Sequence, residues 1–210
     1  VELLRQLKMD DISIKRNNEV DIEQAHQFDK IIISPGPATP RESGNILEII
    51  KALSPSRSIL GICLGHQAIA EVFGARLHNM PNPYHGYQTE LNLLIPHKLF
   101  AFHKDKCNIK VGLYHSWVVE DNEFPDSLEI TSKSTEGFIM SIKHKMFDVH
   151  GIQFHPESYM TEFGKEIIKR IFNVRLLYTN SPAFIFSAFS ANCRESNISC
   201  ISPFTKLSNA

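Results

Sequence analysis

The sequence predicts an α/β fold: a mostly parallel central sheet flanked by helices, with a small antiparallel region. Three observations carry that expectation. Ile31–Ile33 and Ser58–Ile62 are short apolar runs, as buried strands are. Each precedes a segment with helical spacing, 44–53 after the first and 65–73 after the second. From residue 91 to 154 strand-like stretches succeed one another without intervening helices, which adds antiparallel pairing to the parallel half.

Taken in order, Val1–Lys8 has apolar residues at 1, 3, 4 and 7, a helical spacing without an N-cap. Ile31–Ile33 runs into Ser34-Pro35-Gly36-Pro37, a stiff turn whose backbone a ligand can approach. The helix over 44–53 is closed by Ser54-Pro55. The strand at 58–62 leads directly into the helix over 65–73, which Gly74 caps. Strands are expected at 91–95, 108–119, 128–132, 138–143 and 149–154, and a helix over 161–173 ends the ordered part. Residues 1–174 therefore form one domain. Residues 175–210 are rich in Ser and Asn, poor in charge and without a sustained period, so a disordered or poorly packed tail is expected there. An interaction segment is the alternative.

The formal net charge is −1 over 210 residues, which provides no electrostatic footprint for nucleic acid or an anionic membrane. No stretch approaches the roughly 20 apolar residues of a spanning helix. The N-terminal segment lacks the apolar core of a signal peptide. Cys63, Cys107, Cys193 and Cys200 show no metal-ligand spacing and read as free thiols of a cytoplasmic protein.

The sharpest chemical signal is Gly61-Ile62-Cys63-Leu64-Gly65-His66-Gln67. A strand runs into a cysteine with glycines two residues to either side, then into a helix, the thiol form of a nucleophile elbow. A thiol at a helix N-terminus is placed where unpaired N–H groups favour thiolate. The backbone N–H of Leu64 is placed for an oxyanion. The alternative, a small buried side chain in a strand-to-helix turn, is the usual fate of a lone cysteine. His155 and Glu157, in Gly151-Ile152-Gln153-Phe154-His155-Pro156-Glu157, are two apart, so an extended backbone would project both side chains to one face. Glu157 can then orient the imidazole and stabilise its protonated form. With Cys63 as nucleophile, His155 as acid–base and Glu157 as orienter, a catalytic triad is complete.

These segments together resemble the class I (triad-type) glutamine amidotransferases, a flavodoxin-like family. The branch most similar is component II of anthranilate synthase and the glutaminase subunit of aminodeoxychorismate synthase. The resemblance covers about residues 1–174. Its motifs are ISPGPATP (33–40), GICLGHQAIAEVFG (61–74), HG (85–86), YHSWVV (114–119) and GIQFHPES (151–158). It implies glutamine hydrolysis through a Cys63 thioester, with ammonia passed to a chorismate-using synthase subunit in the tryptophan or folate pathway. It also implies glutamine contacts at Gly36, Pro37 and Ala38, at Leu64 and Gln67, and at Ser116 and Trp117. This subunit would need no cofactor and bind no metal, nucleic acid or membrane; the family's magnesium belongs to the partner.

The chain departs from the family pattern at Ala38, where a glycine is usual, at Tyr87, where a basic residue is usual, and at Trp117, where a leucine is usual. The family also opens with a central strand before the helix matching Val1–Lys8, so the resemblance implies a sheet lacking that strand, its two neighbours unpaired. An inactive remnant of the family, or a γ-glutamyl peptidase of related fold, stands beside the glutaminase as an alternative.

Overall fold

A computed structural model describes residues 1–7, 9, 11–102 and 109–171, and the backbone of 183–187. The helices are α1 (Glu2–Gln6), α2 (Ile22–His26), α3 (Ile46–Leu53), α4 (Leu64–Val72) and α5 (Gly164–Ile171). The strands are β1 (Ile12–Arg16), β2 (Lys30–Ile33), β3 (Ser58–Ile62), β4 (Leu77–Leu93), β5 (Ile109–Val119), β6 (Leu128–Ser134), β7 (Ile139–His144), β8 (Val149–Ile152) and β9 (Ala183–Ser187). They form one sheet in the order β1-β9-β2-β3-β8-β7-β6-β4-β5. The part from β1 to β8 is parallel, and β8-β7, β7-β6, β6-β4 and β4-β5 are antiparallel. This is the expected mixed sheet.

Strand alternation divides the core. Ile31, Ile33 and Ile59 join the cluster that contains Ile46, Ile49, Ile50 and Leu53 of α3 and Ile69 of α4. Ile32, Leu60 and Ile62 join the cluster that contains Leu4 of α1 and Ile167, Ile168 and Ile171 of α5. Both α3 and α5 bury residues at i, i+3, i+4 and i+7, the spacing of a single apolar stripe. Three layers result, helices on each side of the parallel strands.

Two departures from the sequence expectation stand out. The gap expected for an absent central strand is occupied: β9 lies between β1 and β2 and runs parallel to both. The segment 175–210 supplies that strand, and its remaining residues lie outside the described ones. The antiparallel region is also larger than anticipated, because β4 begins at Leu77 and extends over 17 residues.

The parallel strands β2, β3 and β8 deliver Ser34, Cys63 and His155 to the same, carboxyl edge of the sheet. Binding and catalytic groups of open α/β sheets gather at that edge.

Candidate active site

Cys63 is the N-cap of α4, with φ +52° and ψ −101°, and is 6% exposed. For a residue with a Cβ this backbone lies outside the ordinary allowed regions, at a cost of about 1–3 kcal/mol. The surroundings enforce it. The Cys63 N–H donates to the Ile152 carbonyl at 2.8 Å, and its own carbonyl accepts from Gln67 N–H at 3.1 Å. A Cβ on Gly61 would run into the Gly65 carbonyl, and one on Gly65 into the Ile33 carbonyl. Both flanking glycines are therefore required by close approach of β2, β3 and α4. The first amides of α4, Leu64 foremost, have no acceptor within the helix and present donors beside the sulfur.

His155 Nδ1 and Glu157 Oε1 are 2.8 Å apart. The pairing is reached by a different route from the one the spacing suggested. Strand β8 ends at Ile152, and Ser158 N–H donates to the His155 carbonyl at 3.1 Å, so the two side chains converge across a β-turn with Pro156 at its second position. The turn is pinned to β5: His155 N–H donates to the Gly112 carbonyl at 3.1 Å and Thr161 Oγ1 to the His155 carbonyl at 2.6 Å. Tyr114 meets the imidazole edge-on at 5.0 Å.

Electrostatics match this geometry. Burial by itself would lower the His155 pKa, but Cys63 and Glu157 outweigh it and raise the value to about 10. Burial raises Glu157, yet the hydrogen bond from His155 and its charge hold it below its ordinary value. His155 Nε2 is buried and hydrogen-bonded to no protein nitrogen or oxygen. One ring nitrogen is thus committed to the carboxylate and the other is left for the sulfur. Neighbouring His115 is pushed down to about 4, by burial first and the charge of His155 second, so it stays neutral beside the protonated ring.

The anticipated substrate contacts lie on the turn after β2, at the start of α4 and on β5. Gly36 is half-buried, and Pro37 and Ala38 are exposed, in the turn after β2. Ala38 has φ +65°, the left-handed conformation that glycine tolerates and alanine does not. Leu64 is buried at the start of α4, and Ser116 and Trp117 are half-buried on β5. Gln67 is 3% exposed, and its amide donates to the Trp117 carbonyl at 2.9 Å and to Gln153 Oε1 at 3.2 Å. Its amide N–H groups therefore tie α4 to β5. Gln153, Thr161 and Ser158, whose hydroxyl lies 3.0 Å from that of Tyr114, were not singled out by sequence. Their contributions depend on contacts 44–86 residues distant along the chain, which no local pattern records. No group of three or more His, Cys, Asp or Glu among the described residues could hold a metal ion.

The model of the glutamine amidotransferase class-I family matches residues 1–174. The anthranilate synthase component 2 of Cyanophora paradoxa is 39% identical over 165 residues, covering 77% of this chain and 85% of that one. The aminodeoxychorismate/anthranilate synthase component 2 of Bacillus subtilis (strain 168) is 37% identical over 163 residues, covering 76% and 82%. Among solved structures, a candidate GMP synthase subunit from Thermoplasma acidophilum aligns with a TM-score of 0.71 at 26% identity, covering 82% of this chain and 84% of that one.

Proposed function

The chain belongs to the class I glutamine amidotransferases, and on that premise we propose that it is the glutaminase subunit of a chorismate-using synthase, hydrolysing glutamine at Cys63. The observation that carries this reading is the divided imidazole of His155, one nitrogen held by Glu157 and the other free beside the elbow sulfur.

The Cys63 sulfur attacks the side-chain carbonyl carbon of glutamine. The carbonyl oxygen becomes an oxyanion, stabilised by the Leu64 N–H and the turn over Gly36–Ala38. As the C–N bond breaks, His155 gives its proton to the departing nitrogen, which leaves as ammonia. A γ-glutamyl thioester remains. His155 then takes a proton from water, the hydroxide displaces the sulfur, and glutamate is released. Glutamine and water yield glutamate and ammonia, and the enzyme is regenerated. Ser116 and Trp117 hold the amino-acid end of the substrate, and Gln67 fixes that strand against α4 while bordering the substrate amide.

Ammonia is the useful product only if a second active site consumes it. Relatives named for anthranilate and for aminodeoxychorismate synthesis lie at nearly equal identity, 39% and 37%, so the partner is a chorismate-using subunit of either kind. A cytoplasmic setting suits a nucleophile that has to remain a reduced thiol.

The test is glutamate release by the chain together with its synthase partner. Cys63→Ser is expected to lower the rate at least 10³-fold while the protein still unfolds cooperatively. An unaffected rate in that variant, or no glutamate from the unmodified pair, would refute the assignment.

A further inference from the structure

Among the described residues, β1 pairs with β9 alone, and β2 reaches β1 only through β9. The register is continuous across the three strands, with Ile185 opposite Ile14 on one side and Ile32 on the other. Yet β9 lies outside residues 1–174, the part that matches the family. A segment outside the family-matched residues occupies an interior place in the parallel sheet, one strand in from its edge.

Its position bears on the triad. Strand β2 ends at Ile33, and the next residues form the Ser34–Ala38 turn. Behind Glu157 is an apolar cavity of about 300 Å³, walled by Leu3, Leu4, Ile14, Ile32 and Pro35. Helix α1, strand β1 and the end of β2 therefore form the wall against which the catalytic acid sits. Among the described residues, β1 is held in that wall by no strand but β9. Loss of β9 would free β1 and open the edge of β2 beside the Ser34–Ala38 turn, loosening the wall that borders Glu157.

We propose that β9 is a positioning strand of the catalytic site: supplied from beyond the family-matched region, it holds the wall behind Glu157 and the Ser34–Ala38 turn in register with Cys63. It acts through Glu157 and His155 and contacts no substrate. Only the turnover arm of its test rests on the glutaminase reading; the place of the strand does not.

Proline at 185 is the probe, because a strand with neighbours on both sides uses its N–H whichever way it points. Ile185→Val is the conservative control, and Ser196→Pro places the same ring elsewhere in the C-terminal segment. In full-length protein, Ile185→Pro should increase amide hydrogen exchange in Ile12–Arg16 at least tenfold and lower kcat for glutamate release at least tenfold. It should also shift the pH profile of Cys63 alkylation by iodoacetamide in the direction seen for Glu157→Gln. Both controls should behave as the unmodified chain. A wild-type alkylation profile in Ile185→Pro would overturn the positioning role. If that variant does not fold, exchange in the unmodified chain decides: amides of 183–187 protected like those of 30–33 support the strand, and freely exchanging ones overturn it. If the unmodified chain releases no glutamate, the exchange and alkylation arms still stand, so failure of the glutaminase reading is distinguishable from failure of this one.

Discussion

Burial alone would strip the proton from the His155 imidazole, and the groups on either side of the ring reverse that outcome. Cys63 and Glu157 together carry its pKa to about 10, whereas His115, buried nearby without such partners, falls to about 4. Desolvation acts on both rings in the same direction, so the difference comes from their neighbours: Cys63 and Glu157 raise His155, and the charge of His155 further lowers His115. Cys63→Ala should therefore drop the His155 pKa by at least one unit, equivalent to about 1.4 kcal/mol of lost stabilisation of the charged ring. Glu157→Gln should lower it as well, by removing the other partner. NMR titration of the His155 ring nitrogens measures both, and an unmoved pKa in Cys63→Ala would show that the sulfur is not its partner. The identities of the triad residues were legible from spacing and residue type. The turn by which His155 meets Glu157 was not, because a two-residue separation fits an extended strand and a β-turn equally well.

At the scale of elements, the turn after β2 is where a local conflict is stored. Ala38 sits at φ +65°, which for an L-residue with a Cβ costs roughly 1–2 kcal/mol. Glycine removes that cost but returns part of it through a more flexible unfolded chain. Ala38→Gly is expected to stabilise the protein by about 0.5–1 kcal/mol, visible as a higher urea midpoint at unchanged m-value. A lower midpoint would show that the methyl makes a compensating contact. Elements with a regular buried stripe were legible in sequence. The helix α3 and the strands β2 and β3 are examples, burying most of their residues in phase with their geometry. Others had no stripe to read. β1 buries none of its five residues, and α2 buries only Ala25. The first half of β4 contains Pro81 and Pro83 and is largely exposed, so neither alternation nor composition marks it as a strand.

For the whole molecule, the parallel and antiparallel halves were foreseeable from the order of helical and strand-like segments. The placement of β9 was not, since strand order is a long-range property and Ala183–Ser187 is a short apolar run inside a Ser- and Asn-rich stretch. Folding also gathers histidines into places their sequence neighbours do not forecast. His66, His97, His115 and His150 are all buried. Burial is the largest cause in each case, and it lowers His66 and His97 to about 3, His115 to about 4, and His150 below its ordinary value. His97 Nε2 and His150 Nδ1 are 3.1 Å apart, so a proton on one ring opposes a proton on the other. Well above pH 6.5 these four rings are neutral in folded and unfolded chains alike and contribute little pH dependence. As pH falls through 6.5 the unfolded chain takes up protons that the native state refuses, down to values near 3 for His66 and His97 and near 4 for His115, so stability declines across that window. Asp148 acts in the same direction. Its hydrogen bond from His150 is the largest cause holding its pKa well below the usual carboxylate range, so its contribution also fades in acid. Between pH 6.5 and 5, His66, His97 and His115 should each cost about 1.6 kcal/mol. Urea unfolding at pH 7.5, 6.5 and 5 is the measurement. A fall of several kcal/mol from pH 6.5 to 5 is expected, because His155, with its pKa raised to about 10, is protonated in the folded protein throughout that interval and offsets only part of the loss. A flat curve down to pH 5 would mean that the four buried rings accept protons in the folded protein.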